Sequence, residues 1–106
     1  MPLVKRARIE VYLPADAVQL RAALEREFIA VFGGCTVING ISGHYLSIDR
    51  RPERDAIDLI YADTPFDFLD NFDALSEYTD QLRSVAATIT EEESILIVVQ
   101  EIHHSL

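Results

Sequence analysis

The stretch Phe32-Gly33-Gly34-Cys35-Thr36-Val37-Ile38-Asn39-Gly40-Ile41-Ser42-Gly43-His44-Tyr45 decides how the chain is read. Its opening residues end a helical pattern: Gly33 is suited to the left-handed position that closes a helix, and Gly34 lets the chain turn sharply. The next residues are rich in β-branched and aromatic types, which favour a pleated strand, over Thr36, Val37, Ile38, Ile41 and Tyr45 and on to Ile48. Gly40 and Gly43 interrupt that run, so residues 36–49 read as a bulged or bent second strand.

Before this stretch, apolar residues at Leu20, Leu24, Phe28, Val31 and Phe32 recur at helical spacing across residues 17–32. Gln19, Arg21, Glu25 and Arg26 mark the wet side of that helix, and Asp16 with Gln19 has the spacing of a capping pair. Further back, Ala7, Ile9, Val11 and Leu13 alternate with Arg8, Glu10 and Tyr12, the period of a half-buried strand that Pro14 stops.

After the stretch, the charged and proline-containing run Asp49 to Arg54 reads as an exposed turn. A third strand from Ala56 to Ala62 puts Ile57, Leu59 and Tyr61 on one side and Asp58 and Ile60 on the other, and Asp63-Thr64-Pro65 breaks it. From about Asn71 to Ile89, Phe72, Leu75, Leu82, Val85, Ala86 and Ile89 return at helical spacing. A last strand from Ser94 to about His103 alternates Ile95, Ile97 and Val99 with Leu96 and Val98, so its middle is apolar on both faces.

The order βαββαβ in a chain of 106 residues predicts a single ferredoxin-like α+β domain over residues 1–106: a four-stranded antiparallel sheet with two helices on one face. In that topology the first and third strands are central and the fourth lies at an edge. An edge apolar on both faces invites pairing with another chain, which predicts a homodimer.

Composition sets the class of partner. The net charge of −9 argues against nucleic acid and anionic membranes, which require basic surfaces. The charge is uneven: residues 1–54 hold eight Lys/Arg against six Asp/Glu, and residues 55–106 hold one against twelve. Cys35 is the only cysteine, so no disulfide forms within a chain, and the longest aliphatic run is Ile95 to Val99; together these predict a cytoplasmic protein.

Several clusters carry chemistry on paper. The glycines follow a helix and precede a strand, the reverse of a phosphate-binding loop, so no nucleotide cofactor is expected there. Cys35 follows a helix C-terminus, which raises a thiol pKa, and reads as a small buried hydrophobe. His103 and His104 are strand neighbours that point to opposite faces, so they and His44 do not read as a metal site. Asp63, Asp67, Asp70, Asp73, Glu77 and Asp80 are spaced as an acidic stripe that either stays solvated or docks a basic protein. The side of the first strand that carries Arg8, Glu10 and Tyr12, taken with Asp58 of the third strand on the face away from the helices and with His44 of the second strand, is the candidate ligand site. Either these groups pair in water or a second copy closes over them.

The run Val31-Phe32-Gly33-Gly34-Cys35-Thr36, followed by Gly40, Gly43 and Tyr45, resembles a pattern of small uncharacterised bacterial α+β proteins in which a helix ends in Phe-Gly-Gly and a Thr opens the next strand. That resemblance covers about fifteen residues and implies a fold without an activity. The leading functional reading is a homodimeric binding or regulatory module with a small-molecule ligand on the outer sheet face. One alternative is a cofactor-independent enzyme of the dimeric α+β barrel type, with Tyr12, His44 and Asp58 as acid, base and orienting group. Another is an interaction domain whose acidic second helix docks a basic partner.

Overall fold

A computed structural model of the chain describes residues 3–46, 49–89 and 95–105. The elements are β1 (Val4–Pro14), α1 (Val18–Phe32), β2 (Thr36–Leu46), β3 (Pro52–Asp63), α2 (Phe72–Ile89) and β4 (Leu96–His104). All pairings are antiparallel and the strand order is β2-β3-β1-β4, with β1 and β3 central as the ferredoxin-like topology requires. Ser94, where the last strand was expected to begin, lies outside the described residues.

One face of the sheet packs on the helices. Ala7, Ile9, Val11 and Leu13 of β1 join Ile60 and Ala62 of β3 beneath Leu20, Leu24 and Phe28 of α1 and Leu75, Leu82 and Ala86 of α2. Ile97 and Val99 of β4 complete this layer. The aromatic chain Phe28, Phe32 and Tyr78 ties the two helices, with ring centroids 5.9 Å and 5.6 Å apart. Tyr78 also donates its phenol proton to Glu27 at 3.0 Å, and burial with that hydrogen bond raises the phenol pKa well above its ordinary value of about 10.

The joints differ in detail from the pattern in the sequence. Asp16 and Gln19 do not cap α1; its N-cap is Ala17, which makes no side-chain hydrogen bond. Backbone contacts take that role, with Ala17 N–H donating to Pro14 C=O and Val18 N–H to Asp16 C=O. Gly33 closes α1 with φ 84°, its N–H donating to Ile29 C=O at 3.0 Å. At the far end of β3, Thr64 is fully buried and both its N–H and its hydroxyl donate to Ala7 C=O at 2.9 Å.

The expected bulge in β2 is present, and it falls between Ile38 and Ile41, where Gly40 has φ 76°. The turn expected over Asp49 to Arg54 is shorter than read, because β3 already begins at Pro52. Pairing of β1 with β3 ends at Pro14 and Ile57, whereas β2 pairs with β3 as far as Leu46 and Pro52. The β2–β3 hairpin therefore runs on past β1 as an arm, and the molecule measures 48 Å along its longest axis.

Candidate functional site

Parity along β1 sends Arg6, Arg8, Glu10 and Tyr12 to the face away from the helices, because their neighbours Ala7, Ile9, Val11 and Leu13 are buried in the core. Register adds their partners. Arg8 lies opposite Asp63 and Gln100, Glu10 opposite Tyr61 and Val98, and Tyr12 opposite Leu59 and Leu96. This outer face is a polar stripe on the central strand, flanked by apolar side chains of β3, β2 and β4.

Arg8 grips Asp63 through both arms, with Nε to Oδ1 at 2.6 Å and a terminal nitrogen to Oδ2 at 3.1 Å. Its guanidinium lies 4.3 Å from the centroid of the Tyr61 ring. The hydrogen bond to Asp63 raises the Arg8 pKa, which keeps the group charged at any physiological pH. Glu10 is only 6% exposed and is the buried charge of this face. Its carboxylate accepts from the Tyr12 hydroxyl at 2.6 Å and from the Gln100 amide. The hydrogen bond to Glu10, with some burial, raises the Tyr12 phenol pKa, so Tyr12 stays a donor.

Asp58 departs from expectation. It sits opposite Leu13 and shares the helix-side face with Ile60 and Ala62, so it does not join Arg8, Glu10 and Tyr12. Its carboxylate, 2% exposed, is held by the Arg21 guanidinium of α1 and accepts the Gly40 N–H at 3.2 Å. A buried charge needs such partners. The residues turned outward in its place are Ile57, Leu59 and Tyr61.

His44 is the second departure. It is exposed on the hairpin arm opposite Arg54, nine positions of β3 away from the Asp63 that holds Arg8, which is roughly 30 Å along a strand. Tyr12, His44 and Asp58 are thus not brought together within one chain. The acidic stripe also divides: Asp63 pairs with Arg8, Asp67 and Asp70 lie in the loop before α2, and Asp73, Glu77 and Asp80 are exposed on the helix.

Cys35 is half-buried against the core, and burial raises its thiol pKa, so it is a poor nucleophile. His103 and His104 take opposite faces, His103 contacting Glu101 at 3.0 Å. Among the described residues no three His, Cys, Asp or Glu side chains converge as metal ligands would, and no helix is long and apolar enough to cross a membrane.

The sequence reading missed Asp63, Tyr61 and Gln100, the partners that register brings to the stripe. It also missed Arg6 and His104, which share the outer face beyond Arg8 and whose Nε and Nε2 atoms are shielded from solvent without a hydrogen-bond partner among the described residues. Extending the β1 alternation back by one position finds Arg6.

An α+β sheet with an uncovered polar and apolar face, backed by two helices, places the chain in the ferredoxin-like class. No family model matches it, and no curated protein does. Among solved structures it is similar to CPII, a nitrogen regulatory PII-like protein from Thiomonas intermedia K12 solved bound to ADP, AMP and bicarbonate, at 19% identity and a TM-score of 0.61, covering 98% of this chain and 97% of that one. CutA1 from Oryza sativa is similar at 16% identity and a TM-score of 0.62, over 98% of this chain and 85% of that one. The divalent cation tolerance protein CutA1 from Thermus thermophilus is similar at 9% identity and a TM-score of 0.59, over 92% and 82%. At these identities the likeness is one of fold.

Proposed function

We propose that the chain is a homo-oligomeric binding or regulatory module in which a second copy covers the outer sheet face and completes a small-molecule site. The observation that carries this reading is the face itself. Among the described residues no helix lies over it, yet it holds the nearly buried Glu10 in a closed hydrogen-bond set and exposes Ile38 at 43% and Leu96 at 56%. Large aliphatics around a polar stripe whose Arg8, Glu10 and Tyr12 are paired are the composition of a contact surface.

The ligand bound to the Thiomonas CPII supports adenine nucleotides as the first class to try. The test is a thermal-shift and calorimetric screen of the purified chain against ADP, AMP and ATP, with its mass measured in the same buffer. The reading predicts an oligomer whose melting temperature rises with one of these nucleotides. A monomer indifferent to all three overturns it. The enzyme alternative finds no assembled triad within one chain, since Tyr12 lies on the outer face, Asp58 on the helix side and His44 on the hairpin arm.

A further inference from the structure

We propose that Arg6 and His104 form a binding site for a small oxyanion on the outer sheet face. Arg6 of β1 lies opposite Ile102, and His104 of β4 lies opposite Val4, so the two are diagonal neighbours on the same face. The Arg6 Nε and the His104 Nε2 are both shielded from solvent, and among the described residues both lack a hydrogen-bond partner. Folded proteins satisfy nearly all such groups, so two of them on adjacent strands call for an acceptor that both can share.

The carboxylates described on this face already have donors. Asp63 is taken by both arms of Arg8, and Glu10 by Tyr12 and Gln100. Glu101 falls on the opposite face with His103. An arginine fork is always charged and matches the planar edge of a carboxylate or phosphate group. The imidazole Nε2 donates as the cation and in one neutral tautomer. A charged fork beside a ring donor fits an oxyanion and repels a cation. The same chemistry has two sources: a free anion, or a carboxylate side chain of a second copy, each copy carrying a net charge of −9. With a free anion the site needs only one chain and does not depend on the oligomer; with a second copy's carboxylate it rests on the oligomer proposed above.

The test tracks the Arg6 Nε–H and His104 ring signals of the ¹⁵N-labelled full chain by NMR, the Arg6 signal being assigned by its loss in Arg6→Gln. Phosphate and acetate are titrated in turn at constant ionic strength. The expected result is a saturable shift of both signals with a Kd on the order of 1 mM or tighter, weakened about tenfold in His104→Ala. Should Arg6→Gln fail to fold, Arg6→Lys keeps the charge, loses the fork, and is expected to weaken binding as well. A shift that instead depends on protein concentration without added anion identifies a second copy's carboxylate as the acceptor and also upholds the site. Signals that respond to neither overturn it. A monomer whose Arg6 signal saturates with phosphate upholds this site while removing the oligomer, and an oligomer with an unresponsive Arg6 does the reverse.

Discussion

The Asp58 carboxylate of β3 and the Arg21 guanidinium of α1 form an ion pair under the sheet, with Asp58 2% exposed and the Arg21 side chain 25% exposed. The second carboxylate oxygen accepts the Gly40 N–H of the β2 bulge, so one side chain joins the helix, the central strand and the root of the hairpin arm. The two partners differ in their access to water. Removing Arg21 strands a carboxylate with no route to solvent, whereas changing Asp58 leaves a guanidinium that can swing outward. Arg21→Met is therefore expected to cost about 3 kcal/mol and Asp58→Asn about 1–2 kcal/mol. Urea unfolding of the two variants measures the difference, and equal losses would show that the pair's burial does not set its energetics.

The Arg8 and Asp63 pair makes the opposite case. Its side chains are 29% and 38% exposed, so solvent screens it despite the two short contacts. Arg8→Ala is expected to lower stability by less than about 1 kcal/mol. A loss several times larger in the same urea assay would mean that the cation over the Tyr61 ring is part of a tighter structure than the exposures imply.

Gly40 sits at φ 76° with nothing within 4 Å of where a Cβ would be. The penalty of a side chain there is conformational alone, about 1–2 kcal/mol for Gly40→Ala. Gly40→Asn should recover part of it, because Asn tolerates the left-handed region. Thermal melts that rank Asn at or below Ala would contradict that origin.

Tyr78 predicts a pH dependence. Its folded-state pKa is raised above the unfolded value of about 10, first by burial and then by the bond to Glu27. Below that value both states keep the phenol proton and the contribution is fully present. As pH rises past it, the unfolded chain loses the proton while the folded chain retains it, so stability falls. Unfolding free energies taken from pH 9 upward (roughly the region where free phenols begin to titrate) are expected to decline, and Tyr78→Phe should flatten the decline. An unchanged slope in Tyr78→Phe would place the alkaline loss in another group.

Periodicity carried the fold because most of its signals were local. The 3.6-residue spacing of Leu20, Leu24 and Phe28 and the alternation of Ala7 to Leu13 each report a single element's buried side, and those residues form the core. The outer stripe of Arg8, Glu10 and Tyr12 was legible for the same reason. Asp58 was misplaced because charge was read as exposure, and its partner Arg21 is 37 residues away on what passed for the wet side of α1. Asp63 and Gln100 were invisible because they reach the stripe through cross-strand register, which no single segment encodes. His44 was placed in the site because the arm's extension beyond β1 depends on how far two strands pair, and both strands continue past the residues where their patterns weaken.

Sedimentation velocity of the wild-type chain and of Leu96→Glu across the micromolar range decides whether a second copy covers the outer sheet face. Leu96 is 56% exposed, lies opposite Tyr12 and is not part of the core, so a charge there should leave the single chain folded. The predicted result is an oligomer for the wild type and a folded monomer for Leu96→Glu. A wild-type chain that sediments as a monomer throughout, or an oligomer that Leu96→Glu leaves intact, would contradict it.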